Sequence, residues 1–273
     1  DHAAAHPRSL SRGLTTTMAR ILKLPLDDAR RGAVTTAPQD VLAEDAATFD
    51  VLRRMREDIL CCVLKPDQRL RFGELRQRYG TSVGTLREAL SHLVSEGLAR
   101  TEAGRGFAVA PISLADFLDL SELRVYLETR TLADAIRHGT DAWEAEIVSS
   151  YFLLSKLAPP KTDDPVSVKR EWGKRHKRFH DALVATCTSP WSLHFRSELF
   201  DQARRYHWLT MIHARSRRRN EHLDLRDAVL ARDIDASCAL IERHIRTTVE
   251  QAASEVPGLT MESGRRARRT RSR

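Results

Sequence analysis

The sequence has no long apolar stretch. No run approaches the roughly 20 apolar residues that cross a bilayer as a helix. The first 20 residues also lack a basic start followed by an apolar segment. We therefore expect a cytoplasmic protein that makes no membrane contact, with Met18 as a candidate start of translation.

Cysteine is scarce, and its spacing is uninformative for cross-linking. Cys61 and Cys62 are adjacent, whereas Cys187 and Cys238 stand alone. Because no CxxC pair occurs, the pattern does not support a disulfide framework. We expect the four side chains to be reduced thiols in the core.

Acidic residues are absent from the end of the chain. Residues 263–273 carry six arginines and no acid, which accounts for most of the formal net charge of +8. Elsewhere, residues 46–110 have eleven basic and eight acidic side chains, and residues 111–262 have twenty-two and twenty-three. The small basic excess over residues 46–110 gives weak support for nucleic-acid binding there. We predict a disordered extension over residues 1–45 and a basic disordered tail over residues 256–273.

The pattern of residues 46–110 predicts three helices. Apolar residues recur at three- and four-residue spacing from Phe49, which indicates one amphipathic helix. A short helix follows over residues 72–79. Ser82, preceded by a threonine, has the side chain of an N-cap for the next helix, and Gly97 ends that helix.

Two short strand patterns follow, over residues 98–101 and 106–110, joined by a turn. Three helices and a β-hairpin in this order predict a winged helix-turn-helix, in which the second helix of the motif enters the major groove of double-stranded DNA. An alternative, a buried helix in a small helical domain, does not account for the glycine-bounded hairpin. The residues that we expect at DNA are small, polar or basic: Arg69, Ser82, Gly84, Thr85, Arg87, Arg105 and Gly106.

Residues 111–255 are predicted to be entirely helical, so the fold class is mostly α. Ser113 caps a long segment that extends to His138, and about five further helices follow before residue 255. We predict a helical bundle of about six helices. The first helix is expected to turn these residues toward the core: Leu114, Phe117, Leu118, Leu120, Leu123, Leu127 and Leu132.

Four histidines have a suggestive placement in this bundle. His176 and His180 are four residues apart and therefore share a helix face, while His222 and His244 lie on two further predicted helices. Imidazoles from three helices can converge on one divalent metal ion in a bundle core. The alternative is that each histidine makes ordinary hydrogen bonds.

A metalloenzyme is the competing interpretation of the same histidines. Zinc hydrolases that bind metal through two histidines on one helix need HExxH, in which the glutamate acts as general base. Lys177 occupies that position here, so we do not expect hydrolysis. A further alternative is a metal-binding or acid-binding protein whose winged domain mediates only protein contacts.

The run from Leu64 to Pro111, with its segments LREAL, EGL and RGF, resembles the winged helix of GntR-type bacterial regulators across about 60 residues. This resemblance implies a DNA-binding transcriptional regulator. The family usually has arginines at the positions of Gly73 and Val83, where they contact DNA. Their absence implies an altered operator sequence or weaker binding.

Residues 114–250 resemble the FadR-type C-terminal ligand-binding domain, known as FCD, whose metal site uses FH, EH and a later helical histidine. His180, His222 and His244 match those three ligands. The first ligand is usually Asp or Asn, and here His176 stands in its place. The resemblance implies a bound divalent metal, for which zinc or nickel is expected.

The resemblance also implies an effector. A metal with an open position attracts an organic acid, and an arginine can hold the other end of that acid. Arg124 matches the family's early LR..LE helix and Arg205 lies in a later helix, although a simple ion pair of Arg124 with Glu128 is the alternative. The segments DAWEAE, LLSKL, RHKRFH and ARRY further resemble the carbon-starvation repressor group, which implies a small dicarboxylate. We expect a homodimeric repressor whose affinity for a palindromic operator changes when the acid binds.

Overall fold

The computed structural model of the protein describes residues 39–161, 164–211 and 219–255. The predicted disorder of residues 1–38 and 256–273 therefore falls outside the described residues. From Ala43 onward, the described residues belong to one compact unit.

The first half of the described chain contains three helices and a small sheet. The sheet consists of the antiparallel strands β1 (Arg69–Leu70), β2 (Ala99–Glu102) and β3 (Gly106–Val109) in the order β1-β3-β2. Strand β3 pairs with β2 from Ala99 opposite Val109 to Glu102 opposite Gly106. The two-residue strand β1 was not predicted and adds a third strand to the hairpin. The elements are α1 (Gln39–Leu60), β1 (Arg69–Leu70), α2 (Phe72–Tyr79), α3 (Val83–Ser95), β2 (Ala99–Glu102) and β3 (Gly106–Val109).

Helix α1 differs from its prediction at two places. It begins at Gln39, so the part of the predicted disordered extension from residue 39 to 45 is helical. Phe49 is 68% exposed, whereas Val51, Met55 and Ile59 are buried at four-residue spacing. Because Phe49 lies two positions before Val51, the helical rotation turns it to the opposite face.

The ends of α2 and α3 follow the predicted local chemistry. Gly80 ends α2 in the left-handed conformation, with φ of 67°, and its N–H donates to the carbonyl of Arg76. Ser82 caps α3 because its hydroxyl accepts from the backbone N–H of Thr85 at 3.1 Å. Leu86, Leu90 and other apolar residues of α3 then bury in a core shared with α1, α2 and the sheet.

Beyond Pro111, the part of the chain that the structure describes contains six helices and no strand. Ser113 caps the first helix and Thr140 the second, each by accepting a backbone N–H. The bundle has a core of its own, in which Trp143, Phe179 and Ile245 are buried. The helices are α4 (Leu114–His138), α5 (Asp141–Ser155), α6 (Val166–Leu183), α7 (Pro190–Met211), α8 (Arg219–Leu230) and α9 (Ile234–Glu255).

The buried face of α4 is more polar than its leucines suggest. Leu118 is 39% and Leu123 is 50% exposed, so the prediction that both turn inward is wrong. The buried side of α4 instead carries Phe117 together with Arg124 and Glu128. Arg124 and Glu128 are tolerated in the interior because they form ion pairs there.

The four cysteines are free, but only Cys61 is buried and the other three are partly exposed, so the prediction of core thiols holds for Cys61 alone. Burial raises the pKa of the Cys61 thiol to about 12 and that of Cys62 to about 11. Both thiols are therefore protonated near neutral pH. Among the described residues, no helix is long and apolar enough to cross a membrane.

Candidate DNA-binding surface and histidine centre

Most of the residues predicted to contact DNA are exposed, but Thr85 is buried in the N-terminal cap of α3. Ser82, Gly84, Arg87 and Arg105 are exposed at the start of α3 and at the tip of the hairpin. Thr85 is only 6% exposed, and its hydroxyl lies 2.9 Å from the hydroxyl of Ser82. The structure therefore positions the Thr85 side chain in the N-terminal cap of α3 and not on the free surface.

The hairpin presents a basic edge. Arg69 on β1 is about half exposed and lies 3.6 Å from the carboxylate of Glu102, and Arg105 is exposed in the turn. Gly106 follows with φ of 88°, a conformation that side chains strongly disfavour. The turn can thus approach a DNA backbone closely.

The positions where the GntR resemblance expects arginine are both exposed. A Cβ atom added at Gly73 would meet nothing within 4 Å, and Val83 is 38% exposed. Gly73 lines an open cleft between α2 and the start of α3, together with Ser82, Arg76 and Gln77. No local signal in the sequence marks Arg76 or Gln77, because only the packing of α2 beside α3 brings them to this cleft.

The four predicted histidines converge. Helix α6 contributes His176 and His180 one turn apart, α8 contributes His222, and α9 contributes His244. All four side chains are buried, and their ligand nitrogens lie within 4.8 Å of one another. The Nε2 atoms of His176 and His222 are 3.0 Å apart, those of His180 and His176 are 3.1 Å apart, and those of His180 and His222 are 3.3 Å apart.

These distances fit a metal centre. A tetrahedral ion with metal–nitrogen bonds of about 2.0–2.1 Å holds its nitrogen ligands about 3.3–3.4 Å apart, and an octahedral ion holds adjacent ligands about 3.0 Å apart. The three Nε2 atoms match this spacing. Their mutual approach does not suit hydrogen bonding alone, because a neutral imidazole has a single N–H to donate.

Neighbouring groups orient the histidines. The Nδ1 atom of His244 lies 2.9 Å from Glu221 Oε2, an outer carboxylate contact of the kind that orients metal-bound imidazoles. Trp172 stacks on His176 with ring centroids 4.6 Å apart. Burial, and then the nearby His222 and His244, hold the pKa of His180 well below its ordinary value. The His180 imidazole is consequently neutral, which is the form that ligates metals.

A small cavity adjoins the histidines. No carboxylate side chain is found among the described residues that line it, whereas two arginines and three histidines are. The site is therefore suited to an anion. The lining residues are Phe117, Arg124, His176, His180, Phe200, Ala203, Arg204, His244, Ile245 and Thr248.

Arg124, a predicted effector residue, lies in this cavity. Its guanidinium is 3.4 Å from Glu128 and 5.2 Å from the centre of the Phe200 ring. Its Nε atom is buried without a hydrogen-bond partner among the described residues. Burial lowers the pKa of Arg124, and Glu128 opposes that shift. A buried cation with an unused donor is a suitable anchor for a carboxylate.

Arg196 supports both Arg124 and His180, and sequence analysis missed it. Its side chain is 3% exposed and donates to Glu128 Oε2 at 2.8 Å, to Asp181 at 2.5 Å and to the backbone carbonyl of His180 at 2.9 Å. Glu128 is thus shared between Arg124 and Arg196. This network of buried charges holds the wall of the cavity.

Arg205, the second predicted effector residue, lies elsewhere. Its guanidinium donates to the carbonyl oxygens of Ala110 and Pro111, at the connection between the sheet and α4. It is not among the residues that line the histidine cavity, whereas the preceding residue, Arg204, is. The effector role of Arg205 stays a prediction that its position does not favour.

The winged helix-turn-helix defines a DNA-binding protein, and the histidine-lined helical bundle forms its second domain. Residues 48–109 match the family model of bacterial regulatory proteins of the gntR family, and residues 119–247 match that of the FCD domain. The chain belongs to the GntR family and carries an FCD domain. Members of this family are transcriptional regulators and not enzymes.

The relatives agree with this assignment. The chain is 39% identical to the HTH-type transcriptional regulator BphR of Paraburkholderia xenovorans (strain LB400), over 90% of this chain and 95% of BphR. It is 36% identical to the HTH-type transcriptional repressor GlaR of Escherichia coli (strain K12), over 74% and 94% of the two chains. The structure of E. coli McbR/YncC has a similar fold, with a TM-score of 0.63 and 19% identity over 76% of this chain and 97% of that one.

Proposed function

We propose that this DNA-binding regulator is a repressor whose operator affinity changes when a small organic acid binds beside a divalent metal in the helical domain. The observation that supports this proposal is the histidine cavity. It is lined by three of the four clustered imidazoles and by two arginines and, among its described lining residues, by no acid. Regulators couple two sites by a difference in ligand affinity between two conformations.

The metal would be held by His176, His180, His222 and His244. Imidazole suits zinc and nickel, and four neutral ligands leave the full double positive charge of the ion in place. That charge supplies Lewis-acid attraction for a carboxylate. With Asp or Asn replaced by His176, the site is less anionic than one with an aspartate ligand, which favours an anionic effector.

The acid would be anchored by Arg124, whose Nε donor has no hydrogen-bond partner among the described residues and whose side chain is 11% exposed. A charge-assisted hydrogen bond in this buried position is stronger than one in water. Arg196 and Glu128 would keep the guanidinium in place.

DNA binding would use the exposed residues of α3 and the hairpin in a homodimer. A two-fold symmetric dimer matches a palindromic operator, with one recognition helix in each half-site. Because Gly73 and Val83 replace expected arginines, Arg87, Arg69 and Arg105 would carry more of the contact. The name of the 36% identical E. coli relative, a repressor, supports repression over activation.

The test is a mobility-shift assay on DNA from upstream of the gene's own locus. The metal-loaded full chain should bind this DNA specifically at moderate salt, and linear carboxylic acids should change that affinity. His180→Ala should abolish the response to the acids and retain DNA binding. The matched control is His194→Ala, which removes an exposed histidine of the same domain.

Two results would count against the proposal. Absence of specific binding to any upstream fragment would contradict operator recognition as proposed. A carboxylic-acid response that survives His180→Ala would contradict a metal-linked effector site.

A further inference from the structure

Arg204 links the histidine cavity to the winged domain. It lines the cavity, and its guanidinium forms a two-pronged ion pair with Glu57 of α1. Nη1 donates to Oε1 at 3.1 Å and Nη2 donates to Oε2 at 2.9 Å. One side chain therefore contacts both the site that would hold an effector and the first helix of the DNA-binding half.

The helix that carries Arg204 has two functional faces. On one face of α7, Phe200 and Ala203 line the cavity beside Arg204. On another, Gln202 donates to the carbonyl of Glu96 at 2.7 Å, at the C-terminal end of the recognition helix α3. The same helix therefore contacts both the cavity and the winged domain.

The two partners of the ion pair differ in exposure. The Arg204 side chain is 11% exposed, whereas that of Glu57 is 35% exposed. If the pair separates, water can solvate the glutamate. Arg204 then keeps only the carboxylate of Asp201, whose Oδ1 lies 3.7 Å from Nη1 and so beyond hydrogen-bond distance, and a buried charge with such incomplete pairing is costly. An acid that binds beside the metal with one carboxylate can therefore bring a second carboxylate to Arg204. This second carboxylate can take the place of Glu57.

We propose that Arg204 is the second anchor of a dicarboxylate effector and that it leaves Glu57 when the effector binds. The inference rests on the proposed function above, in which the metal and Arg124 hold the first carboxylate. The distal carboxylate takes the place of Glu57 in a two-pronged pair with Arg204. The loss of the Arg204–Glu57 pair then releases α1 and reports occupancy of the cavity to the DNA-binding half.

The test is calorimetric titration of the metal-loaded full chain with two matched series of acids. The dicarboxylates are succinate, glutarate and adipate, and the monocarboxylates are butyrate, pentanoate and hexanoate. Wild type should bind its best dicarboxylate at least about tenfold more tightly than the monocarboxylate of the same length, as expected for one additional charged pair. Arg204→Gln should reduce that ratio to about one and leave monocarboxylate affinity nearly unchanged.

Glu57→Gln provides the decisive comparison, because it breaks the same ion pair from the other side. It should raise dicarboxylate affinity several-fold, since Arg204 no longer has to leave a partner. A purely structural ion pair would instead give both substitutions the same sign. The control is Arg56→Gln, which removes an ion pair between α1 and Glu96. Neither residue is among those that line the cavity, so both affinities should stay unchanged.

The outcomes separate this inference from the proposed function. If wild type binds no carboxylic acid, the proposed effector class is wrong. If acids bind, three results would overturn the role of Arg204. The first is that wild type shows no preference for dicarboxylates, and the second is that Arg204→Gln leaves that preference intact. The third result is that Arg204→Gln and Glu57→Gln shift the dicarboxylate affinity in the same direction. Should Arg204→Gln not fold, Arg204→Lys retains the charge without the two-pronged geometry and should lose most of the preference.

Discussion

Gly73 occupies an exposed helical position where an arginine fits without steric conflict. An added Cβ meets nothing within 4 Å, and the cleft beside it leads to Ser82 at the start of α3. We predict that Gly73→Arg tightens DNA binding by adding a phosphate contact. In salt titrations followed by fluorescence anisotropy, the slope of log K against log salt should steepen by about 0.9.

Gly73→Ala is the control for this prediction. Both substitutions remove a helical glycine and should stabilise α2 by about 0.5–1 kcal/mol. Only the arginine adds a charge, so an equal salt slope in both variants would place this position away from DNA.

Asp58 joins three helices at a single carboxylate. It is 3% exposed and accepts from Arg78 of α2 at 2.9 Å and from the hydroxyl of Tyr79 at 2.8 Å, while Arg170 of α6 contacts its other oxygen. We predict that Asp58→Asn lowers the free energy of unfolding by about 2–3 kcal/mol, because buried donors lose a charged acceptor. Urea denaturation followed by circular dichroism measures this change.

Asp50→Asn is the matched comparison on the same helix. Asp50 pairs with Arg53 at 2.5 Å, but both side chains are about half exposed or more. An exposed pair contributes little to stability, because water and salt screen its charges. A loss at Asp58 no larger than that at Asp50 would show that the buried network contributes little.

At the scale of elements, the N-terminal cap of α3 governs both stability and the shape of the recognition surface. The hydroxyl of Ser82 accepts the Thr85 N–H and contacts the Thr85 hydroxyl. Ser82→Ala should therefore lower the free energy of unfolding by about 1 kcal/mol and weaken operator binding. Thermal denaturation and a mobility shift on the same preparation test both effects.

Ser91→Ala in the same helix distinguishes the cap from a general effect of losing a serine. Ser91 is exposed and its hydroxyl donates only to the carbonyl of Arg87, one turn earlier. Alanine is favourable in a helix interior, so stability should hold or rise slightly. Equal losses in the two variants would contradict a specific capping role.

At the scale of the whole molecule, metal binding should stabilise the fold, because the ligands come from α6, α8 and α9. A ligand at 100 times its dissociation constant adds about 2.7 kcal/mol if only the folded state binds it. For a chain of this size, that corresponds to a rise in melting temperature of about 5–10 °C. Differential scanning fluorimetry with zinc or nickel, followed by a chelator, should show the rise and its reversal.

His180→Ala should abolish this stabilisation, and His194→Ala should preserve it. The first removes a nitrogen that lies 3.1–3.3 Å from two other ligand nitrogens, whereas the second removes an exposed imidazole. Stabilisation that persists undiminished in His180→Ala would mean that the metal binds outside the four histidines.

Local chemistry in the sequence was enough to locate most elements and to place His176 and His180 side by side. Capping side chains such as Ser82, and glycines such as Gly80, act within one turn, so their effect can be recognised without any tertiary contact. The same holds for His176 and His180, because four-residue spacing places them on one face of any helix. The predicted convergence with His222 and His244 needed the family resemblance in addition.

Rotation of the helices about their axes, in contrast, was decided only by tertiary packing. Leu118 and Leu123 were expected inside, but the interior of α4 carries Arg124 and Glu128, which are tolerated there because Arg196 completes their charge network. Adjacent residues on a helix point about 100° apart. Whether Arg204 or Arg205 lines the cavity therefore depends on how α7 packs between the two halves of the protein, which no pattern within α7 itself specifies.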